Sequence, residues 1–361
     1  MTARRVVAFG GGHGLSASLR ALRHCAPELD LDITAVVTVG DDGGSSGRLR
    51  AERGGLPPGD LRQTLVALAG DHPATRRSAG LFQHRFAAVP AVVPPLGEAD
   101  PAPAATDGSN PDPRDQGAGA TASGAERAST RADGLAGHAV GNLVLCGLME
   151  MLGDPVAALE HAGAMLGTVG RVLPMSRQPV GIEAQVRGVD PAAPDEVRTV
   201  RGQHQVAVTT GRVESLRLTP SAPPACAEVI EAIRAADWLI FGPGSWYTSV
   251  LPHLLVPQLA DAIVSTSARR LVTLNLAAEK ETLGLSVADH LAALHWYLPE
   301  LKVDLVLADA KAVGDPEPVE RAAESLGARL VLAPVAVTGG TPRHDPAALG
   351  AALVPVLGAD R

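Results

Sequence analysis

Long apolar runs without inside–outside alternation are the feature that most constrains the fold of this chain. The runs that predict strands are RRVVAFG (4–10), ITAVVTVG (33–40), WLIFG (238–242), RLVTLN (270–275), VDLVLAD (303–309) and ARLVLAPV (328–335). Segments with helical spacing separate them, including 15–24, 225–235, 287–297 and 318–326. Strands of this kind are buried on both faces, and the helices between them supply the cover. The pattern predicts an α/β protein with a doubly wound, mostly parallel sheet.

Two segments depart from this alternation. Residues 97–136 are rich in Ala, Gly, Ser, Thr, Asp and Pro and contain almost no large apolar residues, which predicts a disordered surface insertion. Residues 179–218 change to short β-like runs, VGIEAQV, QVAVTT and VESLRL, which predict a small antiparallel β appendage. We interpret residues 1–361 as a single α/β domain that carries both segments.

The composition excludes several classes of protein. A net charge of -8 argues against a surface for nucleic acid, because binding to nucleic acid depends mainly on neutralising phosphates. No apolar run approaches the length of a membrane span. The three cysteines, Cys25, Cys146 and Cys226, lie far apart and form neither a disulfide framework nor a zinc pattern. We therefore expect a cytoplasmic protein without a nucleic-acid partner and without a membrane span.

The first glycine-rich loop, GGGHGLS (10–16), connects an apolar strand to a helix. Glycine lets the backbone approach a ligand closely, and the start of a helix offers free amides to an anion. The loop predicts phosphate binding, although glycine turns also serve plain packing, and His13 could face the ligand or only fill the turn. The candidate ligand contacts are Gly10, Gly11, Gly12, His13, Gly14, Leu15 and Ser16.

The second loop, GDDGGSSGRLR (40–50), follows the second strand and therefore lies at the same edge of the sheet, where open parallel sheets bind ligands. Its acids could hold Mg²⁺, bond a ribose or uracil group, act as a base, or form only a solvated turn. Adjacent acids point in different directions, so we expect at most one to contact the ligand. Arg48 could clamp a phosphate or form a surface salt bridge. The candidates here are Asp41, Asp42, Gly43, Gly44, Ser45, Ser46 and Arg48, with Asp42 as the candidate metal ligand.

A third loop, FGPGSWYTSVLP (241–252), again follows a buried strand and predicts a second anion nest. Its candidate residues are Gly242, Gly244, Ser245, Tyr247 and Thr248, whereas Trp246 is expected to pack. Asp60 in LPPGDLRQTL (56–65) and Asn142 in GHAVGNL (137–143) are weaker candidates. Each could contact the ligand, but Asp60 could be only a helix N-cap and Asn142 only a satisfied amide at a helix start.

Taken in order, these motifs resemble the YvcK family of gluconeogenesis factor-like proteins, within the superfamily of CofD, the 2-phospho-L-lactate transferase. The resemblance covers nearly the whole chain and rests on VVAFGGGHGLS, VTVGDDGGSSGRLR, LPPGDLRQTLVALA, GHAVGNL, FGPGSWYTS and ADH (288–290). The chain departs from the family at His13, where many members have threonine. It also departs at NLAAEKET (275–282), where many have an N-x-x-TQPGET-like segment. Asn275 is retained, whereas Glu279 and the missing Pro-Gly set the rest of that segment apart from the family pattern.

The resemblance implies a Rossmann-like fold that binds a UDP-sugar, with UDP-N-acetylglucosamine as the leading candidate. It also implies a regulatory role between carbon metabolism and cell-wall synthesis and cell shape, exerted through an unidentified protein partner, and a homo-oligomer is compatible with it. No catalytic residue is implied, and no cofactor is required, although Mg²⁺ is compatible with the acids.

Two enzymatic classes are the alternatives to a regulator. The first is a CofD-like transferase that uses a nucleotide-activated donor, a metal and a deazaflavin acceptor to transfer phospholactate. The segments DDGGSSGRLR and PPGDLRQ favour the regulatory branch over this one. The second is a nicotinamide dehydrogenase, which would need a different glycine spacing and an acid about twenty residues beyond the glycine loop.

Overall fold

The computed structural model describes residues 3–88, 134–282, 284–339 and 341–359. The chain forms two compact units, one of Met1–His84 and His138–Arg361, the other of Arg85–Gly137. Most of the predicted insertion at 97–136 lies outside the described residues, and only 134–136 fall within them.

The secondary structure within the described residues alternates as the apolar runs predict. The strands are β1 Arg4–Gly10, β2 Leu31–Val37, β3 Arg171–Pro174, β4 Gly181–Arg187, β5 Val197–Arg201, β6 Arg212–Thr219, β7 Trp238–Phe241, β8 Arg269–Thr273, β9 Leu305–Asp309 and β10 Arg329–Ala333. The helices are α1 Gly12–His24, α2 Gly44–Arg53, α3 Pro58–Leu68, α4 Pro73–Gln83, α5 Val140–Leu152, α6 Pro155–Leu166, α7 Gln203–Val208, α8 Ala227–Ala235, α9 Pro257–Ser265, α10 Val287–Tyr297, α11 Ala310–Val313, α12 Glu317–Ser325 and α13 Pro346–Gly358. Shorter helical turns cover Trp246–Val250, Leu251–Leu255 and Lys280–Thr282.

Seven strands form the main sheet of the described chain, in the order β10-β9-β8-β7-β1-β2-β3, and each neighbouring pair is parallel. The chain leaves β1 toward β2 on one side, and β7 later occupies the other side of β1. This is the point at which the strand order reverses, and ligands bind there in open α/β sheets. The rings of Phe9 and Phe241 stack across β1 and β7, with centroids 4.9 Å apart.

Burial explains why the central strands are apolar throughout. Every residue of β7 and of β9 is buried, and successive residues of a strand face opposite sides of the sheet, so both faces are covered. On α1, Leu15, Leu19 and Leu22 are buried at helical spacing, and this helix packs against α3 and α13. The predicted α/β class with a doubly wound, mostly parallel sheet is confirmed.

The antiparallel appendage is also confirmed, as a three-stranded sheet in the order β5-β4-β6. One detail of the prediction is wrong, because QVAVTT (205–210), expected to be a strand, belongs largely to helix α7. Val206 is the buried residue of α7. A six-residue helix with one buried position shows no helical periodicity, so the sequence pattern could not indicate it. The true third strand, β5, has exposed ends and a polar sequence, so the apolar pattern did not reveal it.

The last strand differs from its prediction in environment. ARLVLAPV was expected to be buried on both faces, but β10 is an edge strand and the Leu332 side chain is 43% exposed. Helix α13, which covers α1, was not predicted, although Asp345 caps it by accepting the amides of Ala347 and Ala348 and Pro346 occupies its first turn. The described part of the chain contains no helix with the length and apolarity needed to cross a membrane.

Candidate functional site

A cleft of about 720 Å³ opens at the carboxyl ends of β1 and β7, where the strand order reverses. The volume falls within the range of about 300–1,000 Å³ that is usual for small-molecule sites. Several residues predicted from the sequence line the cleft: Gly11, Gly12, His13, Gly14, Asp41, Asp60, Gly244, Ser245, Thr248 and Asn275. The structure therefore brings parts of all three predicted loops to one place.

The glycines of the first loop are required by close contacts. A Cβ at Gly14 would lie 2.1 Å from the carbonyl oxygen of Pro243, and one at Gly11 would lie 2.6 Å from the Oδ2 atom of Asp60. Gly12 has a φ of +53°, a conformation that favours glycine. These contacts set the start of α1 directly against the loop that follows β7.

The first turn of α1 presents unpaired amides to the cleft. Gly11 is the N-cap residue and offers no side-chain acceptor. Within the described residues, the amides of His13 and Gly14 have no hydrogen-bond acceptor. Both residues line the cleft. The positive end of the helix dipole and two free donors therefore face the same space, which is the arrangement that binds an anion.

Asp60 is a buried acid in the wall of the cleft. It lies in the first turn of α3, its side chain is 6% exposed, and its Oδ2 atom is 3.5 Å from the Thr38 hydroxyl. Burial and, to a smaller extent, the charge of Asp41 raise the pKa of Asp60 to about 7, although Thr38 and Arg62 act in the opposite direction. The N-cap of α3 is Pro57, so Asp60 does not cap this helix. Asp60 lines the cleft instead.

The neighbouring acids of the second loop point in different directions. Asp41 lines the cleft and accepts the Gly43 amide at 3.0 Å, whereas Asp42 accepts the His204 amide at 2.8 Å outside the cleft lining. Asp41 and Asp60 both line the cleft and carry carboxylate oxygens, the ligand type that would hold a Mg²⁺ ion there. The described residues contain no cluster of three or more His, Cys, Asp or Glu side chains suited to a metal ion. Metal binding through Asp42 stays a prediction.

The other predicted contact residues are not among those that line the cleft. They are Gly10, Leu15, Ser16, Asp42, Gly43, Gly44, Ser45, Ser46, Arg48, Asn142, Gly242 and Tyr247. Leu15 belongs to the core under α1, and Ser16 donates to the Gly12 carbonyl at 2.8 Å. A ligand contact through any of these residues stays a prediction.

Asn142 takes part in a buried polar network behind the cleft. Its Nδ2 donates to the Ser45 hydroxyl at 2.9 Å, and its Oδ1 accepts from Arg62 Nε at 2.8 Å. The Ser45 hydroxyl is also 2.9 Å from Nδ1 of His138. The network ties α2, α3 and the start of α5 together. The structure thus gives Asn142 and Ser45 a role in fixing the second loop.

The amides of the third loop already have partners inside the chain. Asn275 Oδ1 accepts the Gly244 amide and its Nδ2 donates to the Gly244 carbonyl, both at 2.9 Å. The Tyr247 amide donates to Glu281 at 2.8 Å, and the Ser245 hydroxyl donates to Glu279 at 2.6 Å. Glu281 is 2% exposed, and its burial raises its pKa to about 7, an effect opposed by the Tyr247 amide. Much of the predicted second nest is therefore satisfied by the protein's own acids.

Several cleft residues had no place in the sequence-based prediction. They are Ala17, Arg20, Gln203, His204, Ala207, Pro243, Ser249, Leu276, Ala277, Ala278, Glu279, Val337, Thr341, Pro342, Arg343, His344 and Pro346. Ala17 and Arg20 follow His13 at helical spacing, so the face of α1 that carries His13 could have indicated them. Ala207 was wrongly assigned to a strand, and Gln203 and His204, which begin the same helix α7, were assigned to no element. The segment before α13 carries no motif that would have revealed it.

Comparisons with known proteins agree with the motifs. The family model described as 2-phospho-L-lactate transferase CofD matches residues 6–331. A Mycobacterium tuberculosis relative, provisionally named a gluconeogenesis factor, is 45% identical over 359 residues, 98% of this chain and 91% of the relative. The gluconeogenesis factor of Bacillus subtilis is 32% identical over 328 residues, 91% of this chain and 84% of the relative.

A solved structure extends the agreement to the fold. The crystal structure of a member of the UPF0052 family from Bacillus halodurans superposes with a TM-score of 0.73 at 31% identity, covering 98% of this chain and 99% of that one. The family match, the near full-length relatives and the shared fold point the same way: the chain belongs to the CofD family and, within it, to the YvcK-type gluconeogenesis factors.

Proposed function

We propose that this chain is a cytoplasmic regulatory protein that binds a UDP-sugar, with UDP-N-acetylglucosamine as the leading ligand, and connects carbon metabolism with cell-wall synthesis. The observation that carries the proposal is the pair of unpaired amides, His13 and Gly14, at the positive end of α1 in a cleft of ligand size. A diphosphate is the part of a nucleotide sugar that such a helix end binds.

The charges around the cleft fit a ligand with an anionic centre and polar ends. Arg20 and Arg343 line one part of the cleft, and within the described residues neither side chain has a hydrogen-bond or salt-bridge partner. Asp41 and Asp60 line another part and can accept hydrogen bonds from hydroxyl groups or a base. A diphosphate at the start of α1 would share the cleft with these arginines and acids, and the arginine side chains would balance its charge.

Calorimetric titration tests the ligand class. We expect UDP-N-acetylglucosamine to bind and GDP not to bind. Tight binding of GDP, with no response to any UDP-sugar, would instead support a transferase that uses a guanosine-activated donor. The regulatory role further predicts that prolonged incubation leaves the UDP-sugar chemically unchanged in chromatography.

A charge substitution tests the position of the diphosphate. His13→Asp places a negative charge in the first turn of α1, which suits the helix dipole but repels a phosphate. We expect at least about a tenfold loss of UDP-sugar affinity, equivalent to about 1.4 kcal/mol, without loss of the fold. His161→Asp makes the same change on the exposed side of α6, away from the cleft, and should leave affinity unchanged. Equal affinities for the two variants would place the phosphates elsewhere.

A further inference from the structure

The end of the cleft beside the third loop is lined by a hydrogen-bonded pair, Ser245 and Glu279. The Ser245 hydroxyl donates to the Glu279 carboxylate at 2.6 Å, and both residues line the cleft. Glu279 belongs to the segment 275–282, where the chain departs from the related pattern.

This pair makes the third loop a poor site for a phosphate. The Ser245 hydroxyl proton is already committed to Glu279, and the amides of Gly244 and Tyr247 are committed to Asn275 and Glu281. A phosphate placed there would meet a carboxylate in place of a donor, and like charges that close repel strongly. A neutral group with hydroxyl donors would instead find a carboxylate acceptor with lone pairs to spare.

The position of the pair relative to α1 places it beside a group attached to the bound diphosphate. Gly14 packs against the backbone of Pro243 and Gly244, so the free amides of α1 and the Ser245 loop are direct neighbours. His13, Gly14, Ser245 and Glu279 line the same cleft, so a group attached to a diphosphate held by those amides would be within reach of Ser245 and Glu279. In a nucleotide sugar, one group attached to the diphosphate is the sugar, which carries hydroxyls and no charge.

We propose that Glu279 is the specificity-determining residue of this cleft, accepting hydrogen bonds from the hydroxyls of the diphosphate-linked sugar and rejecting a further phosphate in its place. The proposal rests on the UDP-sugar function proposed above. It predicts that the protein discriminates a UDP-sugar from UTP, in which a third phosphate replaces the sugar.

The test compares the ratio of dissociation constants for UTP and UDP-N-acetylglucosamine in the parent and in Glu279→Gln, by calorimetry. Glutamine keeps an oxygen that can accept from Ser245 but removes the charge. We expect the parent to prefer the UDP-sugar and the variant to narrow that ratio at least about tenfold, mainly through tighter UTP binding. Glu231→Gln, the same change on an exposed position of α8 away from the cleft, should leave the ratio unchanged. Circular dichroism and melting temperature verify that the variants are folded.

The contrary outcomes separate this proposal from the function on which it rests. If the parent binds the UDP-sugar but Glu279→Gln changes the ratio by less than about threefold, Glu279 does not set specificity. If Glu279→Gln weakens the binding of UDP, UTP and the UDP-sugar equally, Glu279 contacts the nucleoside, and the proposal is also overturned. If the parent binds no uridine nucleotide at all, the proposed function falls, and this proposal falls with it.

Discussion

The close approach of α1 to the loop after β7 gives a prediction in which one kind of substitution acts in opposite directions at two positions. Gly14 and Gly147 both lie within helices, α1 and α5. A Cβ at Gly14 would meet the Pro243 carbonyl oxygen at 2.1 Å and the Gly244 Cα atom at 2.5 Å, whereas one at Gly147 would meet nothing within 4 Å. We expect Gly14→Ala to destabilise the protein and Gly147→Ala to stabilise it.

The relative sizes of helix propensity and overpacking decide whether each substitution stabilises or destabilises the protein. Replacing glycine by alanine inside a helix contributes about 1 kcal/mol of stability through propensity alone. At Gly14 this gain is opposed by overpacking, which costs about 1–3 kcal/mol. The upper part of that range applies because the opposing atoms are backbone atoms and cannot move aside as a flexible side chain can. We expect a net loss of about 1–2 kcal/mol for Gly14→Ala and a gain of about 1 kcal/mol for Gly147→Ala.

Melting temperatures of the two variants and the parent provide the assay. For a chain of this size, about 1 kcal/mol corresponds to about 2 °C, so the variants should lie on opposite sides of the parent. In Gly14→Ala the added methyl group should push α1 away from the Gly244 loop, and this movement should displace the amides of His13 and Gly14. Losing one hydrogen bond to a charged group costs about 1.5–3 kcal/mol, so UDP-sugar affinity should fall at least about tenfold in Gly14→Ala alone.

A melting temperature of Gly14→Ala that rises like that of Gly147→Ala would refute this reasoning. It would mean that α1 and the Gly244 loop do not approach as closely as described. If Gly14→Ala loses stability but keeps full affinity, the close contact would be correct and the anion would have to bind away from the start of α1.

Three further predictions concern the buried acid Asp60, the buried polar network around Asn142 and the insertion predicted from the sequence. The raised pKa of Asp60 means that the folded state holds its proton more tightly than the unfolded chain, so this contribution to stability is complete below about pH 4 and is lost as the pH rises through about 7. The unfolding free energy of Asp60→Asn should therefore increase relative to that of the parent between about pH 4 and pH 8, by up to about 4 kcal/mol. A difference in unfolding free energy between variant and parent that does not change with pH would contradict the burial of this acid. Asn142→Ala removes the buried hydrogen bond from Arg62 Nε to Asn142 Oδ1 and should cost about 1–3 kcal/mol in chemical denaturation. UDP-sugar affinity at low temperature should stay nearly unchanged, and a selective loss of affinity would instead make Asn142 a ligand contact. Replacing residues 100–132 by a short Gly/Ser linker should leave affinity and melting temperature nearly unchanged, because the segment has little apolar surface to bury, and a large loss of either would make it part of the folded site.

Local sequence signals were sufficient where a single element carries its own pattern. Helix α10 begins and ends at the predicted residues, Val287 and Tyr297, and β1 occupies the predicted run of residues 4–10. The glycine loops were located correctly at the ends of β1 and β7, because an apolar run followed by glycines is a feature of neighbouring residues. Parallel strands place their carboxyl ends at one edge, so the sequence also predicted that these loops would meet.

The same signals failed where distant segments decide the outcome. The pattern did not show that Asp41 faces the cleft while Asp42 turns to the His204 amide, because that choice depends on where α7 packs. It did not show that β10 lies at the sheet edge, since an apolar run has the same sequence whether one or two neighbours cover it.

The sequence by itself determined the α/β class, the positions of the glycine loops and the family, because these depend on short runs of residues. Only the tertiary structure determined which side chains surround the cleft. Ser245 and Glu279 are separated by 34 residues along the chain, and they meet because β7 and β8 are neighbours in the sheet and direct their following loops to the same edge. A hydrogen bond of that kind is fixed by the packing of whole elements, and no local pattern encodes it.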